Sequence, residues 1–483
     1  MNWMEAYWEM HREELQIDLK YRSENLTMLN RAYARMLAEE GMLTQEEYQR
    51  IDSGLVKIDK TVTEEGADPE KDFFFLYEQA LYDEIGADIA CKLHVGRSRN
   101  DIYFTLWRMS LREAIWKILD DISALQKLLE EKAEENLDTV IPYYTYGQPA
   151  QPGTWGHYLM TIHTFLEGDW RRLRAAYDNV NQSPMGSAAL VGSSFPLNRD
   201  RMAKLLGFDG IIENTMAANS AVDYYLETES AFAILNTTLG RVGSDLVFFA
   251  GMGCDFLDCD MSICSGSSIM PQKKNPEAAE LLRSNANHFP GYLMSSFMAA
   301  GSTSLFPIRE TFSFFEDFWK NVERLCSNLR LLGAVIENSR IRREQALNQA
   351  LNGFTAATAL AEELVREVGE PFVKVHHVVG GMIRTLMEED RLRPAYMTGE
   401  LMRQESKKIL GIEIEKSDEE IARMLDPMES LKAKMTGGTP KPEDTLRLLK
   451  QGRDHRQRNE AWLKAAKQQV EDAYKEVGSI LLK

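Results

Sequence analysis

Proline placement is the feature that most limits what this chain can build. None occurs between Pro196 and Pro271, and none between Pro307 and Pro371. Proline inside a helix removes a backbone donor and clashes with the preceding turn, so long helices fit in intervals that lack it. Within the second interval Phe318, Val322, Leu325, Leu329, Leu332 and Ile336 advance by three and four residues. Leu111, Ile115, Ile118, Ile122, Leu125 and Leu129 do the same earlier in the chain. Both patterns predict amphipathic helices. Residues 224–252 predict a third long helix whose apolar residues spread widely around it, the mark of a helix at the centre of a bundle or an oligomer. No convincing alternating strand pattern is present.

These patterns make the chain an all-α protein in three parts. An N-terminal helical domain spans 1–105, a central bundle of long helices 106–350, and a C-terminal helical domain 351–483. The charged tail, 451–483, is expected as a solvated face or an oligomer contact. With 483 residues and 44% apolar content the chain can bury a large core. No run of 18 uncharged apolar residues predicts a membrane span, and the acidic start does not resemble a signal peptide. The net charge of −18 leaves no basic stripe for nucleic acid. Any anionic substrate must therefore be held by a small local group of cations. Five cysteines, few and odd in number, predict free thiols and a reducing cytoplasm. Cys254, Cys259 and Cys264 recur every five residues, but without paired spacing or a nearby histidine they do not predict a zinc site.

Four loops carry chemistry-bearing residues. "KLHVGRSRND" (92–101) groups His94, Arg97, Arg99, Asn100 and Asp101 around a glycine, ahead of a helix expected from about residue 102 with Asp101 as its N-cap. Arginine forks suit carboxylates. "YYTYGQPAQPGTWGHY" (143–158) presents Thr145, Tyr146, Gln148 and Gln151 between glycines and prolines. "SPMGSAALVGSSFPLNRD" (183–200) is rich in small residues. "GSSIMPQKKNPE" (266–277) sets Ser267 and Ser268 beside Lys273 and Asn275 between two prolines that restrict the backbone. Singly, the first three read better as ordinary connections. The last lacks the spacing of a phosphate loop.

Together they are far more specific. "GSSIMPQKKNP" resembles the defining motif of the fumarase/aspartase superfamily, and "LHVGRSRND" and "YTYGQPAQP" resemble loops of its argininosuccinate lyase branch. "GSAALVGSSFPLNRD", "EPFVKVHHVVG" and "MTGGTPKPE" follow in that branch's order, so the likeness covers roughly residues 90–445. It implies a homotetramer with a shared helical bundle, active sites built from loops of three subunits, a small dicarboxylate substrate, and no metal or organic cofactor. It implies elimination of fumarate from an N-substituted aspartate, a carbon–nitrogen lyase reaction. The proton removed lies next to a carboxylate and is barely acidic, so stabilising the developing charge is the main demand. By the resemblance Ser267 is the base, acting as an alkoxide. Lys273 and Asn275 hold the dianionic carboxylate. Ser98, Arg99, Asn100 and Thr145 grip carboxylates, and Gln148 and Ser268 complete the binding set.

Two departures stand out. Tyr146 occupies a place where the family commonly has histidine, which leaves open the group that protonates the leaving amine. His157, eleven residues on, is read as structural. The branch's segment for the arginine part becomes "LFPIRETFSFFED" (305–317), with Phe312, Phe314 and Phe315, and its "SDRDF" becomes "SAVDY" (220–224). Both changes fall where the amine should be recognised, so an amine other than arginine is expected. Ethylenediamine-disuccinate, handled by a relative, shows the class. Argininosuccinate cleavage is the alternative, and a catalytically silent structural homologue is another.

Overall fold

The structure, a computed structural model, describes residues 3–64, 72–302, 304–307 and 318–479. Phe312, Phe314 and Phe315 lie outside them. The N-terminal part is α1 (Trp3–Glu39), α2 (Gln45–Glu64) and α3 (Phe73–Ile85). The bundle follows: α4 (Arg99–Glu134), the strands β1 (Val140–Thr145) and β2 (Gln148–Thr154), α5 (Trp155–Val180) and α6 (Asp223–Ala250). Next come β3 (Leu257–Cys259), α7 (Glu277–Ala286), α8 (Phe289–Gly301), α9 (Phe318–Glu337), β4 (Ser339–Ile341) and α10 (Arg343–Asn352). Last are α11 (Ala357–Val368), α12 (Phe372–Glu388), α13 (Gly399–Leu410) and the long α14 (Pro442–Gly478). The proline-free intervals hold α6 and α9, as the spacing predicts. No described helix is long and apolar enough to cross a membrane.

Three buried apolar clusters organise the chain. Leu26, Tyr33, Ile51 and Phe74 form the first, with Ile102 and Met109 of α4. Ile118, Leu166, Leu239 and Leu329 mark the second, in the bundle. Leu360, Val378 and Met402 mark the third. The tail is more than a solvated face. Leu463 of α14 packs into the second cluster and Val477 into the first. We propose domain limits of 1–105, 106–350 and 351–483, with α14 crossing back over the other two.

The bundle helices run up and down, and two tight contacts fix their register. A Cβ on Gly240 would sit 2.8 Å from the Ala286 Cβ, so α6 and α7 approach more closely than side chains would allow. Arg108 of α4, fully buried, donates to the last carbonyls of α5, Asn179 O at 2.7 Å and Val180 O at 3.3 Å. Those carbonyls have no partner within their own helix, and a cation there also meets the negative end of the helix dipole. Its guanidinium stacks over the Tyr224 ring, 3.8 Å from the centroid.

Candidate active site

The first chemical loop ends in a cap. Ser98 is the N-cap of α4, and its hydroxyl accepts from the Asn100 N–H. Asp101, expected as the N-cap itself, sits three positions inside and returns a bond to the Ser98 N–H at 2.9 Å. This reciprocal capping box starts the helix at Arg99. The other oxygen of Asp101 accepts from Gly186 N (3.1 Å) and Ala188 N (2.9 Å), which fastens the third loop to the first. Burial pushes the Asp101 carboxyl up to about 6, against the pull of these three N–H donors. Arg99 remains half exposed, 3.3 Å from Asp72 and with its guanidinium over the Phe75 ring. Asn100 is half-buried on the same turn.

The second loop is a β-hairpin, where the sequence showed no strand. Thr145 pairs with Gln148 across the two-residue turn Tyr146–Gly147. Both turn residues are left-handed, at φ 53° and 72°. A right-twisted hairpin closed by two residues requires this, and asparagine or glycine normally supplies the first of them. Here a tyrosine bears the strain, with its side chain fully exposed. Strain of this kind persists where the surroundings over-determine the backbone, and it clusters at functional sites.

The fourth loop is closed at its base by mutual backbone bonds between Ser265 and Asn275, at 3.1 and 2.9 Å. Inside it the Ser267 oxygen accepts from Ile269 N at 3.4 Å and Met270 N at 3.1 Å. The Asn275 amide donates to Ser265 Oγ and Gly266 O, both at 3.4 Å. Ser268 and Lys273 are exposed. The neighbouring Lys274 is anchored to Asp258 of β3 at 3.0 Å. Burial works to raise the Asp258 carboxyl; hydrogen bonds from Lys274 and Arg340 and the charge of Arg342 outweigh it and hold it at about 2. Asp258, Arg340 and Arg342 form an anchor that sequence reading missed, because β3 and β4 lie about eighty residues apart.

One chain does not bring the four loops together. Loops one and three share the end of the bundle where α4 begins. Loop two follows the other end of α4, a helix of 36 residues and so about 54 Å long. There the Tyr144 ring lies against Phe248, at the end of α6, and its hydroxyl 3.4 Å from Cys254 Sγ. The β3 anchor of loop four follows directly. Ser98, Arg99 and Asn100 thus lie at one end, and Thr145, Tyr146, Gln148, Ser267, Ser268, Lys273 and Asn275 at the other. Among the described residues no cluster of three or more His, Cys, Asp or Glu is placed to hold a metal ion.

Residues 3–291 match the family model described as "Lyase", and residues 354–432 match that described as "Argininosuccinate lyase C-terminal". The chain belongs to this lyase family, in its argininosuccinate lyase branch. It is 35% identical to an argininosuccinate lyase of Methanosarcina barkeri over 86% of this chain and 84% of the relative. It is 33% identical to that of Methanosarcina acetivorans, over 92% and 89%. Solved structures of EDDS lyase, one in complex with formate and a variant with bound fumarate, superpose with a TM-score of 0.88 at 27% identity. Each superposition covers 97% of this chain and 93% of the other. As a member of the family the chain is a fumarate-releasing carbon–nitrogen lyase of the fumarase/aspartase superfamily.

Proposed function

We propose that the protein eliminates fumarate from an N-substituted aspartate whose amine is not arginine, and adds the amine back in reverse. The observation that carries the reading is the Ser267 oxygen, which accepts from two backbone N–H groups within its loop. Fixed N–H dipoles aimed at an oxygen favour its ionised form and cost no reorganisation when charge develops. A hydroxyl becomes a useful base only in such surroundings. In this reading Lys273 stabilises the alkoxide and the carboxylate that gains charge, and Asn275 turns from its loop contacts to that carboxylate. Ser98, Arg99, Asn100, Thr145, Gln148 and Ser268 hold the two acid groups, and Tyr146 serves the leaving nitrogen.

Because those groups lie at opposite ends of a long helix, the working unit is a homotetramer in which neighbouring chains complete each site. Exposed apolar side chains on α6, α7 and α8, among them Ile234, Leu281, Met294 and Met298, suit burial between copies. The amine remains the finest part of the proposal. Tyr224 is buried under Arg108, so any contact of the 220–224 segment with the amine falls to Ser220, Ala221, Val222 and the exposed Asp223. Relatives named argininosuccinate lyase favour arginine as the second reading.

The test is fumarate formation from argininosuccinate, ethylenediamine-disuccinate and simpler N-succinyl amines, by wild type and Ser267→Ala. Wild type should prefer a substrate other than argininosuccinate, and the alanine variant should lose about 10²- to 10⁴-fold in turnover. Full activity in the variant would remove Ser267 from the role of base.

A further inference from the structure

The Gly-rich turn 436–441 and His157 are not used by the chemistry above, yet the structure joins them to the hairpin. His157 lies in the first turn of α5. Its Nε2 is 3.1 Å from the Gly438 carbonyl and its Nδ1 is 2.8 Å from the Tyr143 hydroxyl. A carbonyl only accepts, so Nε2 carries the proton; Nδ1 of the neutral ring then accepts from Tyr143. Burial pushes the His157 pKa below its usual value, outweighing the bond to the carbonyl, which keeps the ring neutral. Thr154, the cap of the same helix, donates to Pro440 O at 3.2 Å. Two side chains at the base of the hairpin thus reach the same turn, some 280 positions further along the chain.

Tyr143 is placed for this by the hairpin itself. Pro142 faces Pro152 and Tyr144 faces Pro149, so Ala150 and Gln151 together oppose Tyr143 in a bulge. Gly153 leaves room for the ring, since a Cβ there would lie 2.2 Å from it. An isolated two-stranded ribbon is marginal in water, and three prolines deprive this one of ladder donors. Tyr144 against Phe248 and Pro149 against Gly353 hold the half nearer the tip, and the tilt of the whole ribbon depends as well on what its base is fastened to.

We propose that His157 is a positioning residue: by clamping Tyr143 to the Gly438 turn it fixes the tilt of the hairpin whose tip carries Thr145, Tyr146 and Gln148. The inference rests on the proposed role of that tip in binding the dicarboxylate. A loosened base displaces the tip, and a displacement of about 1 Å at a binding group can cost on the order of 100-fold.

The experiment measures fumarate binding to the assembled protein by calorimetry. His157→Phe, which keeps a ring and removes both bonds, should weaken binding at least about tenfold. His157→Gln, which can still donate to Gly438 O, should return it to within about threefold of wild type. Tyr143→Phe, which deletes one oxygen, should act in the same direction as His157→Phe and decides the matter if that variant does not fold. Wild-type affinity in folded His157→Phe or Tyr143→Phe would overturn the proposal, as would no recovery in a folded His157→Gln. Absence of fumarate binding by wild type would instead sink the proposed function.

Discussion

Lys274 reaches the Asp258 carboxylate at 3.0 Å, while its neighbour Lys273 stays exposed. Of the two adjacent lysines one holds the loop to β3, and in the proposed mechanism the other is left for the substrate. Arg340 on the paired strand and Arg342 just after it bond the same carboxylate at 3.0 and 3.1 Å. Removing Asp258 would leave three cations crowded together. Asp258→Asn should therefore lower turnover and thermal stability together, and Lys274→Met should lower turnover alone. The pH dependence has a definite sign. A carboxyl held at about 2 when folded and near 4 when unfolded stabilises the protein fully above pH 4. That contribution fades as pH falls toward 2, so the gap between wild type and Asp258→Asn should narrow only in that window. Thermal midpoints across pH check it.

Asp101 works in the opposite direction. Its folded pKa is raised to about 6, above an unfolded value near 4. The folded state then holds the proton more tightly, and stability is lost as pH rises from 4 through 6, with no further change above. Compared with Asp101→Asn, wild type should lose stability across that interval. Asp101→Ala abandons three N–H groups, that of Gly186 buried and those of Ser98 and Ala188 half-buried, and should cost about 2 kcal/mol or more, since a buried orphaned donor costs on the order of 1–3 kcal/mol. Denaturant titration reads both effects.

Tyr146 holds a left-handed backbone that costs a non-glycine residue about 1–2 kcal/mol. Tyr146→Gly should release this strain and raise the thermal midpoint while lowering turnover. A variant both more stable and equally active would show that the tyrosine has no part in the reaction.

Much of this was legible in the sequence, and the rest was hidden for physical reasons. The absence of proline from 197–270 left room for α6, and three- and four-residue steps from Phe318 to Ile336 marked α9. The serine loop and the GRSRND loop announced the family. The hairpin escaped notice because Pro142, Pro149 and Pro152 read as breakers and the bulge opposite Tyr143 interrupts alternation. The sequence alone does not separate Asp101 from Ser98 as the cap of α4, because either residue can accept at a helix start and only the folded geometry shows which lies outside. The anchors of Asp258 on Arg340 and of His157 on Gly438 join positions 82 and 281 residues apart, and no local pattern encodes them.

The separation of Arg99 from Ser267 by the length of α4 gives the most direct test of the account. Arg99→Ala and Ser267→Ala are each expected to form inactive homotetramers. Unfolded together and refolded as hybrids, they should recover fumarate-releasing activity, because some sites then draw an intact Arg99 from one chain and an intact Ser267 from another. Hybrids that assemble as completely as wild type and remain as inactive as their parents would contradict a site shared between chains.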